Sequence, residues 1–125
     1  MDTKELMIGD MVMVKVLSQI PDTYVLHTWT ANDYSRDLQV KPIPLTAEIL
    51  EKNGFVLHGK TYILKWRGAD IHWRKTDGYA SITAPNNLKL EGWCSISNGY
   101  FCYVHILQHA LRLFGLDDLA DNFKV

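Results

Sequence analysis

The stretch "TYILKWRGADIHWRK", residues 61–75, decides the fold, because it sets β-branched and aromatic residues on both sides of a single glycine. It reads as a β-hairpin with Gly68-Ala69 as its tight turn, since glycine at the first central position suits a II′ geometry. In that register Trp66 faces Ile71 and Leu64 faces Trp73 on one side of the ribbon. Lys65 then meets His72, and Arg67 meets Asp70, on the other side. The first side is apolar and belongs to a core, while the second belongs to water.

Working outward, the next strands are expected around Tyr79 to Ala84 and Leu88 to Ile96, separated by the turn-forming "APNN". Near the start, Gly9-Asp10 is a turn signal. The "MVMVKVL" that follows puts Val12, Val14 and Val16 on one face of a period-2 strand. "TYVLHTW", from Thr23 to Trp29, is its natural antiparallel partner.

Between these strands lies "PIPLTAEILEKNGF", residues 42–55. Thr46 is placed to accept a bond from the free amides of a helix beginning at Ala47, with Leu45 and Leu50 as a hydrophobic staple. Gly54 closes the last turn, and Phe55 folds back on Leu50. A longer helix is expected from Tyr103 to Phe114, with Gly115 as its stop. At about 100° per residue, Tyr103, Val104, Ile106, Leu107, Ala110, Leu111, Leu113 and Phe114 cover one broad side. His105, Gln108, His109 and Arg112 gather in the remaining arc, a polar stripe open to solvent or to a partner. The tail "LDDLADNFKV" adds a helical turn and then a brief strand from Asn122.

These elements make one α+β domain over residues 1–125. Its antiparallel sheet has about five to seven strands, open or curled into a small, partly open barrel, with the short middle helix and the longer C-terminal helix packed on it. A chain of 125 residues with 47% apolar side chains buries enough surface to need no staple. Thirteen basic and fourteen acidic residues leave a net charge of -1, too little for a long-range field toward nucleic acid or an anionic membrane. No apolar stretch approaches the roughly 20 residues of a membrane span, and the start lacks a signal-peptide pattern, so a cytoplasmic protein is expected. Cys94 and Cys102 fit neither a zinc-ligand pair nor a C-x-x-C motif. They read as reduced thiols, with a disulfide across the Asn98-Gly99 turn as the minor alternative.

"IGD" near the start, "PIPLTAEILEKNGF" in the middle and "YVHILQHALRLFGL" near the end resemble a group of uncharacterised small proteins of gut Bacteroidetes and their phages and mobile elements. Their pattern is PIPLT-x-EIL-x-KNGF followed by YVH-x-LQ. The resemblance covers about a third of the chain at motif level and implies a phage or mobile-element setting, with no activity to carry over. Ile106 departs from the pattern, where members often carry a polar residue.

Four chemistries bear on these residues. His105 and His109, four apart on a helix, project side by side and have the spacing of two metal ligands. A hydrolytic zinc site needs a Glu beside the first His to activate water, and that position is Ile106. A third ligand would have to come from His27, His58, His72 or an acidic group. Nucleophilic catalysis finds no G-x-S-x-G elbow, and "WCSISNGY" reads as a strand entering a turn, which leaves Cys94 or Cys102 with His105 as a remote reading. The eight glycines are dispersed and form no phosphate cradle, so no cofactor is expected. Lys65, Arg67, Arg74 and Lys75 cluster with Trp66 and Trp73 in the hairpin, which offers weak nucleic-acid contact unless the tryptophans face the core. The expectation with the largest weight is a non-enzymatic protein-interaction module, with anchors among the ten Trp and Tyr residues, an open choice of partner and an open oligomeric state.

Overall fold

A computed structural model describes residues 3–16, 24–36, 38–74, 76–92 and 103–125. The expectations for Cys94, Cys102, Lys75, the Asn98-Gly99 turn and the end of the strand beyond Gly92 lie outside these residues. The architecture is α+β, and the described residues form eight antiparallel strands, three helices and two short 3₁₀ turns at Thr3–Glu5 and Ala31–Ser35. None of the helices is long and apolar enough to cross a membrane.

The strands divide into two sheets instead of the single one expected. The smaller holds β1 (Met11–Val16) between β2 (Val25–Thr28) and β3 (Leu38–Lys41). The larger is an open meander of β4 (Val56–His58), β5 (Thr61–Trp66), β6 (Ala69–Arg74), β7 (Ala80–Thr83) and β8 (Lys89–Gly92), each strand paired with the next.

The reason for two sheets is visible in β1, whose "MVMV" has no polar alternation because both of its faces are covered. Val12 and Val14 join Leu6, Trp29 and Val40 in a small core, while Met11 and Met13 pack on the far larger one. That larger core unites the apolar face of the meander with α1 (Ala47–Lys52), α2 (Val104–Leu113) and α3 (Asp117–Asp121). β1 thus joins the two cores from a sheet of its own.

The first helix forms as its sequence dictates. The Thr46 side chain accepts from the Ile49 amide at 3.3 Å, and at the other end the Phe55 amide bonds back to the Leu50 carbonyl at 3.1 Å. The central hairpin differs by one position from its expected turn. Trp66 pairs with Ala69, so the two-residue loop is Arg67-Gly68, with φ of 49° and 84°. Two positive φ values make this a type I′ turn in place of the expected II′, both of which suit the twist of the flanking strands. Leu64 therefore faces Ile71, and Tyr62 faces Trp73. The register moves by two residues, which preserves the faces: the apolar side still holds Leu64, Trp66, Ile71 and Trp73.

Toward the C-terminus, α2 begins and ends within a residue of its expected bounds. The strand expected from Asn122 is absent; the chain after α3 runs as irregular backbone. Asn53 holds that tail, donating to the Lys124 carbonyl at 2.8 Å and accepting from the Lys124 amide at 2.8 Å.

Candidate functional site

The polar stripe of α2 does not face water. His105 and Gln108 are buried, and His109 and Arg112 are largely covered. The stripe lies against the turn that enters β1, so that residues about a hundred positions apart meet. Leu113, expected on the packed side, is instead 77% exposed, and Ile106 is half-buried. The helix is thus rotated so that its polar arc, not only its apolar one, meets the rest of the molecule.

Asp10, fully buried, is the centre of this contact. Its carboxylate accepts from the Met7 amide at 2.8 Å, from His109 Nε2 at 2.5 Å and from Arg112 Nη1 at 2.5 Å. Burial by itself would raise the Asp10 carboxyl, but the bonds from His109, Met7 and Arg112, with the charge of His109, outweigh it and hold the group below the ordinary carboxylate value. Beside it, Gln108 uses its whole amide on the backbone. Oε1 accepts from the Met11 amide at 2.8 Å, and Nε2 donates to the Gly9 carbonyl at 3.0 Å and the Ala120 carbonyl at 2.9 Å. Gly9 is needed for this approach: its φ is +95°, and a Cβ there would stand 2.8 Å from Arg112 Nη2.

His105 sits on the same stripe but outside the hydrogen bonds. Its ring stacks on Tyr103 and meets His109 edge-on at 5.6 Å, and its Nδ1 is buried without a partner. Burial lowers its pKa to about 4, the charge of Asp10 opposing this and that of His109 adding to it. The pair His105 and His109 is therefore brought together, yet His109 directs Nε2 to Asp10. Among the described residues no group of three or more His, Cys, Asp or Glu is placed to hold a metal ion. His27, expected as a possible third ligand, is at a different place, in a second cluster that composition did not reveal. Asp33, buried, accepts from His27 Nε2, the Thr30 amide and hydroxyl, and Arg36 Nη1.

The basic residues of the hairpin are not brought together. Lys65 and Arg74 lie on the polar face, opposite to the face that carries Trp66 and Trp73. Arg74 is held by Asp77 through two bonds of 2.8 and 2.6 Å and lies over the Tyr79 ring. Arg67, at the turn, pairs with Asp118 at 2.8 Å. Both tryptophans are packed against the large core.

Two surfaces remain. One is a cleft of about 630 Å³ between the end of α1, the β5–β6 turn and α3. The other is a pair of sheet edges. Val25 and Leu26 on β2, and Val56 and Leu57 on β4, are exposed by 57, 48, 57 and 44%. The opposite edges, β3 and β8, carry Gln39 and Lys41, and Lys89 and Glu91. Comparison with protein-family models, with curated proteins and with solved structures finds no match to this chain.

Proposed function

We propose that this protein is a non-enzymatic interaction module, of the phage or mobile-element class that its two helical motifs resemble, and that it docks a partner polypeptide along the β4 edge of its larger sheet. The observation that carries the reading is the character of that edge. An unpaired strand offers a row of backbone donors and acceptors, and proteins blunt such edges with lysine, proline or a bulge. β4 carries no lysine or proline, and Val56, Leu57 and His58 are all exposed, so that its three-residue length is what limits this edge. The β8 edge of the same sheet carries Lys89 and Glu91. An extended segment laid beside β4 would gain main-chain bonds, with Val56 and Leu57 buried on alternate faces of the joint. The polar stripe of α2 supports the same reading, because Gln108, His109 and Arg112 spend their bonds on Asp10 and on backbone.

A photo-crosslinking residue tests it. Placed at Leu57 and irradiated in extract of the native host, it is expected to give one discrete adduct. The same group at Lys89, on the other edge, gives none. Identical adduct patterns from the two edges, or no adduct at position 57, would overturn the proposal.

A further inference from the structure

The cleft beside the hairpin tip carries a separate inference. It is walled by Lys52, Asn53 and Gly54 from α1, by Trp66 and Arg67 from the turn, and by Asp118, Leu119, Asn122 and Lys124 from the C-terminal segment, enclosing about 630 Å³. That volume falls in the range of small-molecule sites, roughly 300–1,000 Å³. Three cations face a single carboxylate, and neither Lys52 nor Lys124 is ion-paired among the described residues. Buried Leu119 and half-buried Trp66 supply an apolar floor.

Arg67 is the deciding residue. A type I′ turn asks for Asn, Asp or Gly at its first position, and a long side chain held at φ 49° is strained. The guanidinium stands 5.7 Å from the centre of the Trp66 ring and reaches Asp118 across the cleft. Arg67 and Asp118 are 66 and 64% exposed, so their pairing is weak and readily exchanged. A carboxylate or phosphate offers the same planar or forked acceptor with better geometry. The wall carrying Lys124 is fixed in advance, because Asn53 grips the Lys124 backbone at both its amide and its carbonyl.

We infer that this cleft binds a small organic anion, a planar ring seated against Trp66 and Leu119 whose carboxylate or phosphate displaces Asp118 from Arg67 and is flanked by Lys52 and Lys124. The site is independent of the β4 edge, and its failure would leave the interaction reading untouched.

The test uses the full chain labelled with nitrogen-15, following the indole N–H of Trp66, assigned through Trp66→Phe. Adenosine monophosphate and 2-naphthoate serve as the phosphate and carboxylate probes. At least one is expected to shift that resonance saturably, with Kd below about 1 mM. Adenosine alone and inorganic phosphate alone should bind at least about tenfold more weakly. Arg67→Asn relieves the turn, so it should keep or raise the Tm while weakening the responding probe at least about tenfold. Asp118→Asn should tighten binding, because it removes the competing carboxylate, and Lys65→Ala should change nothing. Which probe responds assigns the anion. No saturable shift with either probe overturns the site, as does adenosine matching its monophosphate or Arg67→Asn binding as wild type.

Discussion

Gln108 bonds three backbone groups with one side-chain amide, and among the described residues only the Ala120 carbonyl of these has a second donor, from the chain after α3. Gln108→Leu keeps the volume but strands the Met11 amide and the Gly9 carbonyl. At about 1–3 kcal/mol for each buried group left unpaired, the variant should lose about 2 kcal/mol or more in urea unfolding. A loss below about 1 kcal/mol would show that water reaches these groups. His105 gives the same stripe a pH dependence. Its value in the fold, about 4, lies below the ordinary 6.5, so the unfolded chain takes up the proton first. Stability should therefore fall as the pH is lowered from 6.5 to about 4. Asp10, whose value is depressed, adds stability above its ordinary 3.8 and withdraws it as the pH falls further. His105→Phe should flatten the upper part of the profile and leave the lower part. An unchanged slope between those limits would remove His105 as its source. Helical periodicity already grouped His105, Gln108, His109 and Arg112 in one arc, but left that arc to solvent or a partner. Asp10, the acceptor for His109 and Arg112, is about a hundred residues away, and no local window of sequence contains it.

At the scale of elements, capping chemistry is what local sequence states best. Thr46 and the Leu50-to-Phe55 closure of α1 stand as the residues implied, and Thr46→Ala should cost about 1 kcal/mol, read as a drop in the denaturant midpoint with unchanged slope. A change in slope instead would mean that the substitution alters more than the cap. The hairpin shows where local rules compete. Arg67-Gly68 and Gly68-Ala69 are both credible loops around one glycine, I′ and II′ turns both suit the strand twist, and the chain forms the former. Two strands escaped notice for a different reason. β3 has four residues and β4 has three, too short for periodicity to rise above its background. β4 also follows directly on the helix closure at Phe55, without a separate turn to announce it. The site proposed for the edge of the larger sheet was invisible for that reason, since an edge is a property of pairing and not of composition.

In the molecule taken as a whole, the core of the small sheet holds five buried apolar residues among the described ones, and its attachment to the larger core runs through Met11 and Met13 together with the contacts of Asp10 and Gln108 to α2. Asp10→Asn leaves Arg112 and His109 facing a neutral amide in a buried place and should cost about 3 kcal/mol. The loss should be uneven. Hydrogen exchange is expected to show amides of β1 and its neighbours losing protection in this variant before those of β5 to β7. Uniform loss across both sheets would instead mean that the two cores open as one unit.

The buried group around Asp10 also bears on how descendants of this chain will be read. Each of Gly9, Asp10, Gln108 and Arg112 is hemmed in by the others, so drift at one position is vetoed by the rest, and the four should persist together while the surface diverges. An alignment of such sequences would then display an invariant Gly-Asp at one end and an invariant Gln-x-x-x-Arg at the other. That is the fingerprint usually credited to an enzyme, written here by architecture.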